Sequence, residues 1–267
     1  MSRILRDLLV LVAVFIAVWF GVTLFFQSQP DVVGNKGESS LTSSLEKELG
    51  EVYLKQMESQ IIKNDSLNAL ILEISERVSL AIDSAVFDFQ FYVVDSPEVN
   101  AYTSFGGMIF INTGLIDFLE SPEELAAILA HELGHAQLKH VSTKLVRELG
   151  ITILLTAATG GDPTLVQEMI KTITSSGFDR SMEKEADMFA FELLQKANVK
   201  PSNLTKTFIR LNTLNPSELD KFDVFLSHPN LKTRIDYLSS RTLDSTFQEV
   251  PIPVQWETVQ EITNNPN

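Results

Sequence analysis

The sequence predicts a mainly helical α+β domain with a small sheet, preceded by one membrane-spanning helix. Three observations carry this. From residue 41 onward most of the chain falls into apolar patterns of helix length. Two short regions, 87–94 and 100–112, are rich in aromatic and β-branched residues and hold turn signals between them. Residues 8–26 contain no charged residue.

The apolar run 8–26 would span roughly 28 Å as a helix, close to the hydrocarbon thickness of a bilayer. Arg3 and Arg6 precede it, and Asp31, Lys36 and Glu38 follow. The positive-inside tendency keeps residues 1–7 in the cytoplasm and translocates the rest. The lipid bilayer is thus an expected partner, and the domain is expected outside the cytoplasm, in the periplasm of a diderm bacterium. The alternative is a cleaved signal peptide, but the run is long for one and no small-x-small site follows Phe25 and Phe26. Residues 27–40, with Pro30 and many small polar residues, read as a linker.

Helices are expected at 41–63 and 66–83, then a strand at 87–94. Segments 100–104 and 108–112 read as two strands joined through Phe105-Gly106-Gly107. Ser121-Pro122-Glu123-Glu124 is a helix start: an N-cap serine, a proline at the first helical position, and a glutamate placed for a capping box. The helix it opens is expected to run to about residue 149. A short apolar run at 151–158 is too short to span a bilayer and reads as a core segment, with a membrane-dipping or substrate-lining role as the alternative. Further helices are expected at 163–174, 180–197, 201–212 and 230–239. Residues 41–250 form the expected domain, and 251–267 a tail.

The chain has 267 residues, a net charge of -14 and no cysteine. The acidic balance argues against nucleic acid as a partner. The lack of cysteine excludes disulfides, thiolate nucleophiles and cysteine-ligated metal sites.

His131-Glu132-Leu133-Gly134-His135 is an H-E-x-x-H motif on a predicted helix. Histidines four apart lie on one face, so both imidazoles can reach one Zn2+ ion while Glu132 stands beside it as a base. Catalytic zinc needs a third protein ligand. His140 would lie about 140° around a continuous helix from His135, outside the site. Glu183 and Asp187 are better placed, being i and i+4 beside the apolar positions Ala186, Phe189, Ala190 and Leu193. One can bind metal while the other accepts a hydrogen bond from a ligating histidine. Glu185 is expected to face solvent.

These residues resemble metallopeptidase family forty-eight, the group of HtpX-like and CAAX prenyl protease-like zinc endopeptidases. The resemblance rests on H-E-L-G-H with His140 downstream and on R-x-x-E-x-x-A-D from Arg180 to Asp187. It extends to Asn100-Ala101-Tyr102, Gly106-Gly107-Met108-Ile109, Gly114-Leu115, and Ser227-His228-Pro229 with Arg234. It implies a zincin-type domain with His131, His135 and Glu183 as zinc ligands, Glu132 as catalytic base and Asp187 behind a ligand. His228 would lie near the metal, stabilising an oxyanion or regulating access, with a capping or surface role as the alternative. The resemblance also implies a substrate-binding edge strand involving Asn100, Ala101, Gly107, Met108, Ile109 and Phe110, on which a polypeptide would pair. The expected activity is zinc-dependent endopeptidase action on unfolded or misassembled envelope proteins. The alternative is a zinc-stabilised chaperone or assembly factor that binds clients without routine cleavage.

Overall fold

The computed structural model describes residues 40–149, 177–213, 228 and 230–265. The expected anchor at 8–26, nearly all of the linker, and the segments at 151–158 and 163–174 lie outside them. Among the described residues no helix is long and apolar enough to cross a membrane. The chain divides after Ser44, and everything from Leu45 onward forms one unit.

Helix α1 (Ser40–Met57) is followed by α2 (Asp65–Ser79). The latter starts where Asn64 accepts a hydrogen bond from the Leu67 amide at 3.0 Å, a side-chain cap on a free N–H. Its buried residues Leu67, Ile71, Ile74 and Val78 recur at helical spacing and form one stripe against the core.

Three strands follow: β1 (Gln90–Val94), β2 (Ala101–Thr103) and β3 (Met108–Asn112), in the order β1-β3-β2. Strand β1 is parallel to β3, and β2 is antiparallel to it. This corrects one expectation. Residues 108–112 are the central strand, with both backbone edges already paired, so they cannot accept a substrate strand. Every residue of β3 is buried, as a strand covered on both faces requires.

The β2–β3 connection is a tight 3-10 turn, Phe105–Gly107. Gly106 and Gly107 have φ of 66° and 80°. A Cβ on Gly107 would stand 2.5 Å from Phe87 Cβ, so both backbone conformation and space demand glycine there. On one sheet face Phe110 stacks between Tyr92 and Tyr102 with centroids 5.3 Å away on each side, and Tyr53 of α1 meets its edge. The other face supplies Val93, Ala101, Ile109 and Ile111 to the main core.

After the short α3 (Thr113–Phe118) comes α4 (Pro122–Gln137), which carries the histidine motif. Ser121 caps it by accepting from the Glu124 amide at 3.2 Å, while the Glu124 carboxylate accepts from the Glu120 amide. Nearly every residue of α4 is buried, which places the motif at the centre of the molecule.

The expected helix to 149 is two helices. The chain breaks at Leu138 and Lys139, where Lys139 takes φ of 57°, and restarts as α5 (His140–Leu149). A left-handed residue ends a helix by turning its amide back onto the last turn, here from Lys139 to the Ala136 carbonyl at 3.0 Å.

Helix α6 (Arg180–Lys196) is capped by Asp179, whose Oδ1 accepts from the Ser181 and Met182 amides. Arg147 of α5 donates to the other oxygen of Asp179 at 2.7 Å, tying the two helices together. Helices α7 (Ser202–Asn212) and α8 (Leu231–Ser239) follow. The expected tail holds a further helix, α9 (Trp256–Asn264), docked on the core: Trp256 is buried and donates to the Leu119 carbonyl at 2.8 Å.

Candidate metal centre

Helices α4 and α6 pack closely because Gly134 has no side chain. A Cβ at that position would stand 3.0 Å from the Ala186 carbonyl oxygen and 3.1 Å from its Cα. The glycine inside the histidine motif therefore sets the distance between the helix that carries His131 and His135 and the helix that carries Glu183 and Asp187.

His131, His135, Glu183 and His228 each turn one donor atom into a common space, all within 4.8 Å of one another and all buried. His131 Nε2 lies 3.1 Å from His135 Nε2 and 3.3 Å from His228 Nδ1. Glu183 Oε1 lies 2.9 Å from His228 Nδ1 and 3.4 Å from His135 Nε2. Three imidazole nitrogens and a carboxylate are a donor set suited to zinc. Converging lone pairs of this kind repel one another unless protons or a cation lie between them. Glu183 Oε2 adds to the fit: it is buried and has no hydrogen-bond partner, although Arg234 Nη1 lies 2.7 Å away, off the hydrogen-bonding direction.

The remaining nitrogen of each motif histidine is also engaged. His131 Nδ1 donates to Asp187 Oδ1 at 2.9 Å, which fixes that tautomer and leaves Nε2 as the donor to metal. Asp187 also receives Arg234, through Nε at 2.8 Å and Nη2 at 2.6 Å, and the Tyr237 hydroxyl. Arg234 is itself buried and lies over the Phe208 ring at 4.2 Å. The spacing of residues in the sequence assigns no role to Arg234 or Tyr237. Both act on a residue about fifty positions away, so local spacing carries no sign of them.

His135 Nδ1 faces His140 Nδ1 at 3.0 Å, and its ring stacks on Phe178 at 3.9 Å. His140 is buried, which corrects the expectation that helix continuity turns it away: the break at Lys139 brings it back over the motif. Its Nε2 lies 3.3 Å from Glu185 Oε2, and Glu185 is otherwise exposed as expected.

Charges follow from these contacts. Burial would raise the carboxyls of Glu183 and Asp187, but His228, His135 and Arg234 around Glu183 outweigh it, as do Arg234 and His131 around Asp187. Both are held well below the ordinary carboxylate range and stay ionised. Burial pushes His135 well below the ordinary histidine range and keeps it neutral, as a metal ligand must be. Burial also lowers His228, but the carboxylates of Glu183 and Glu132 outweigh it and push that ring up.

Glu132 is buried beside this cluster. Its Oε1 lies 3.4 Å from His228 Nε2. The Thr103 hydroxyl of β2 is within reach of both Glu132 Oε2, at 2.8 Å, and the Glu132 carbonyl, at 2.7 Å. The other residues expected at a substrate strand divide. Asn100 and Ala101 lie at edge strand β2, whereas Met108, Ile109 and Phe110 lie on central β3 and Gly107 in the turn.

Comparison with known proteins gives a consistent result. The family model described as Peptidase family M48 matches residues 62–242. The chain is 25% identical over 230 residues to the beta-barrel assembly-enhancing protease of Yersinia pestis, covering 79% of this chain and 46% of that protein. It is 24% identical over 212 residues to the metalloprotease LoiP of Escherichia coli, covering 76% of this chain and 82% of LoiP. It is 33% identical over 148 residues to the mitochondrial metalloendopeptidase OMA1 of Arabidopsis thaliana, covering 55% of this chain and 30% of OMA1. The chain thus spans about half the length of the beta-barrel assembly-enhancing proteases it matches.

Proposed function

The chain belongs to peptidase family M48, a family of zinc metallopeptidases, and from that premise we propose that it is a zinc-dependent endopeptidase. The observation that carries this reading is the buried convergence of His131, His135 and Glu183 beside an intact Glu132. His131, His135 and Glu183 would hold the ion, and Asp187 would orient His131. Bound there, zinc would polarise the scissile carbonyl and lower the pKa of a water toward about 7.

Glu132 takes a proton from the attacking water at Oε1, the oxygen on the cluster side, and later delivers it to the leaving amine. Thr103 holds the opposite oxygen. Its hydroxyl donates to Oε2 while Glu132 is ionised. Because the proton rides on Oε1, Oε2 remains an acceptor in both states, and the Thr103 hydroxyl can hold it throughout the transfer.

The substrate edge in this reading is β2. Asn112 donates to the Asn100 carbonyl, and Ser104 to the Met108 carbonyl. In an antiparallel ladder the alternate residues, Ala101 and Thr103, then turn their amides and carbonyls away from β3. An extended polypeptide pairing there lies beside the strand that holds the base. Such main-chain pairing asks only that the substrate be extended, which favours unfolded or misassembled proteins.

We place this activity in the cell envelope, with residues 8–26 as a membrane anchor and the domain outside the cytoplasm. Support comes from the uncharged apolar run and from relatives named for assembly of beta-barrel proteins. His228 completes a four-donor set, which leaves no coordination position for water. In this reading it closes the resting site and must swing aside for turnover.

The test uses purified full-length chain, metal analysis and cleavage of a denatured protein before and after chelation. The expected result is about one zinc per chain, chelator-sensitive cleavage, and a Glu132→Gln variant that keeps zinc but does not cleave. If Glu132→Gln supports the biological function as well as wild type does, the chaperone reading replaces this one.

A further inference from the structure

Two residues, Leu138 and Lys139, separate the end of α4 from His140, and the left-handed Lys139 folds α5 back so that His140 lies over the motif. His135 is consequently held from three sides. Its ring face stacks on Phe178, Nε2 points into the cluster, and Nδ1 meets His140 Nδ1 at 3.0 Å. His140 Nε2 continues to Glu185 Oε2 at 3.3 Å. Nothing in the motif logic assigns a role to this row of three side chains.

We propose that His140 is the positioning residue for His135, doing for that imidazole what Asp187 does for His131. The inference rests on the reading of His135 as a metal ligand. Two ring nitrogens at hydrogen-bond distance need one proton between them. If His135 Nε2 is to offer a lone pair to a metal, its proton must lie on Nδ1, and His140 Nδ1 must accept it. The second proton of His140 then lies on Nε2, where a carboxylate oxygen of Glu185 accepts it. The row is therefore directional: His135 Nδ1–H to His140 Nδ1, then His140 Nε2–H to Glu185.

The two motif histidines are thus oriented by different means. His131 is backed by a buried, ionised aspartate clamped by Arg234. His135 is backed by a neutral ring whose own partner is largely exposed to water. Glu185 contributes less than His140, because solvent screens it and can replace its oxygen.

The experiment compares zinc affinity of the full-length chain, by competition with a chromophoric chelator, for wild type, His140→Leu, His140→Asn and Glu185→Gln. Leucine removes the acceptor. Asparagine keeps an acceptor, Oδ1, near the place of Nδ1. Expected are a 10- to 100-fold loss of zinc affinity in His140→Leu, as for other partners behind a metal ligand. Affinity should be largely restored in His140→Asn, and only slightly lowered in Glu185→Gln. In zinc-loaded wild type, 15N-labelled histidine should show His135 protonated on Nδ1, with an exchange-protected proton that His140→Leu loses. The inference is overturned if His140→Leu binds zinc as tightly as wild type. It is equally overturned if His140→Asn binds as weakly as the leucine variant while melting like wild type, since a merely structural role would give that. Wild-type protein that holds no zinc sinks both this inference and the ligand assignment beneath it.

Discussion

A Cβ built on Gly134 would stand 3.0 Å from the Ala186 carbonyl oxygen, tighter than most packed side chains stand against backbone. Helix propensity alone predicts that Gly134→Ala stabilises the protein by about 1 kcal/mol. Overpacking predicts a loss of about 1–3 kcal/mol. The contact is with main chain, which cannot rotate away, so the loss should win. Urea unfolding of the metal-free chain decides the sign, and zinc binding should weaken in parallel as α4 and α6 separate.

Arg234 is the counter-charge for two buried carboxylates, Asp187 and Glu183. Removing it by Arg234→Met leaves negative charge in the core without a cation. Such losses cost about 3–5 kcal/mol. Arg234→Lys should recover little, because a single ammonium cannot match the two-pronged contact with Asp187. Denaturant midpoints of the two variants check this, and a lysine variant close to wild type would show that the fork geometry is unimportant.

His228→Ala should still load zinc through His131, His135 and Glu183. With the fourth donor gone, a coordination position becomes available to water. Cleavage of a denatured protein should be at least as fast as in wild type. A fall of about 100-fold or more, the size expected when a donor to the transition state is lost, would place His228 in the chemistry instead.

Glu46 of α1 is buried, accepts from the Gly106 amide at 3.2 Å, and receives the Ser142 hydroxyl. Burial raises its carboxyl above the ordinary value, against the smaller lowering by those two donors. The folded state therefore holds this proton more tightly than the unfolded chain does. The resulting stabilisation is present below the unfolded value of 4.5 and is lost as pH rises through the raised folded value. Glutamine can accept from the Gly106 amide through its oxygen and donate through its amide nitrogen to the Ser142 hydroxyl oxygen, keeping both contacts without the charge. Glu46→Gln should melt higher than wild type near pH 8, and the gap should narrow toward about pH 4. Equal gaps at both pH values would remove the charge from the explanation.

Much of the site could be read from spacing alone. His131 and His135 share a helix face by their four-residue interval, and so do Glu183 and Asp187. The structure turns the first pair and Glu183 into one cluster and sets Asp187 behind His131. The break at Lys139 could not be read. Ala136, Gln137, Leu138 and Lys139 are all good helix formers, and a lysine at positive φ has no compositional marker. The central place of β3 was readable in principle, since Met108-Ile109-Phe110-Ile111 is a continuous apolar run and not an alternating one. Pairing of β1 with β3 is a long-range choice, however, and periodicity does not report neighbours. Helix α9 was obscured by prolines at 251, 253 and 266, although Trp256, Val259 and Thr263 keep a helical interval.

The shortness of β2 has a kinetic consequence. Ala101 and Thr103 together offer about four outward backbone groups. At about 0.5–1.5 kcal/mol for each hydrogen bond, they supply roughly 2–6 kcal/mol. Immobilising a second molecule costs about 4–15 kcal/mol. If β2 is the substrate edge, main-chain pairing alone offsets only the low end of that cost, and a visiting segment would depart quickly unless its side chains add contacts. Scission becomes a race between chemistry and escape. On that reading the chains cut would be those that return to the strand again and again, so persistence of an exposed segment, more than its composition, would set its lifetime.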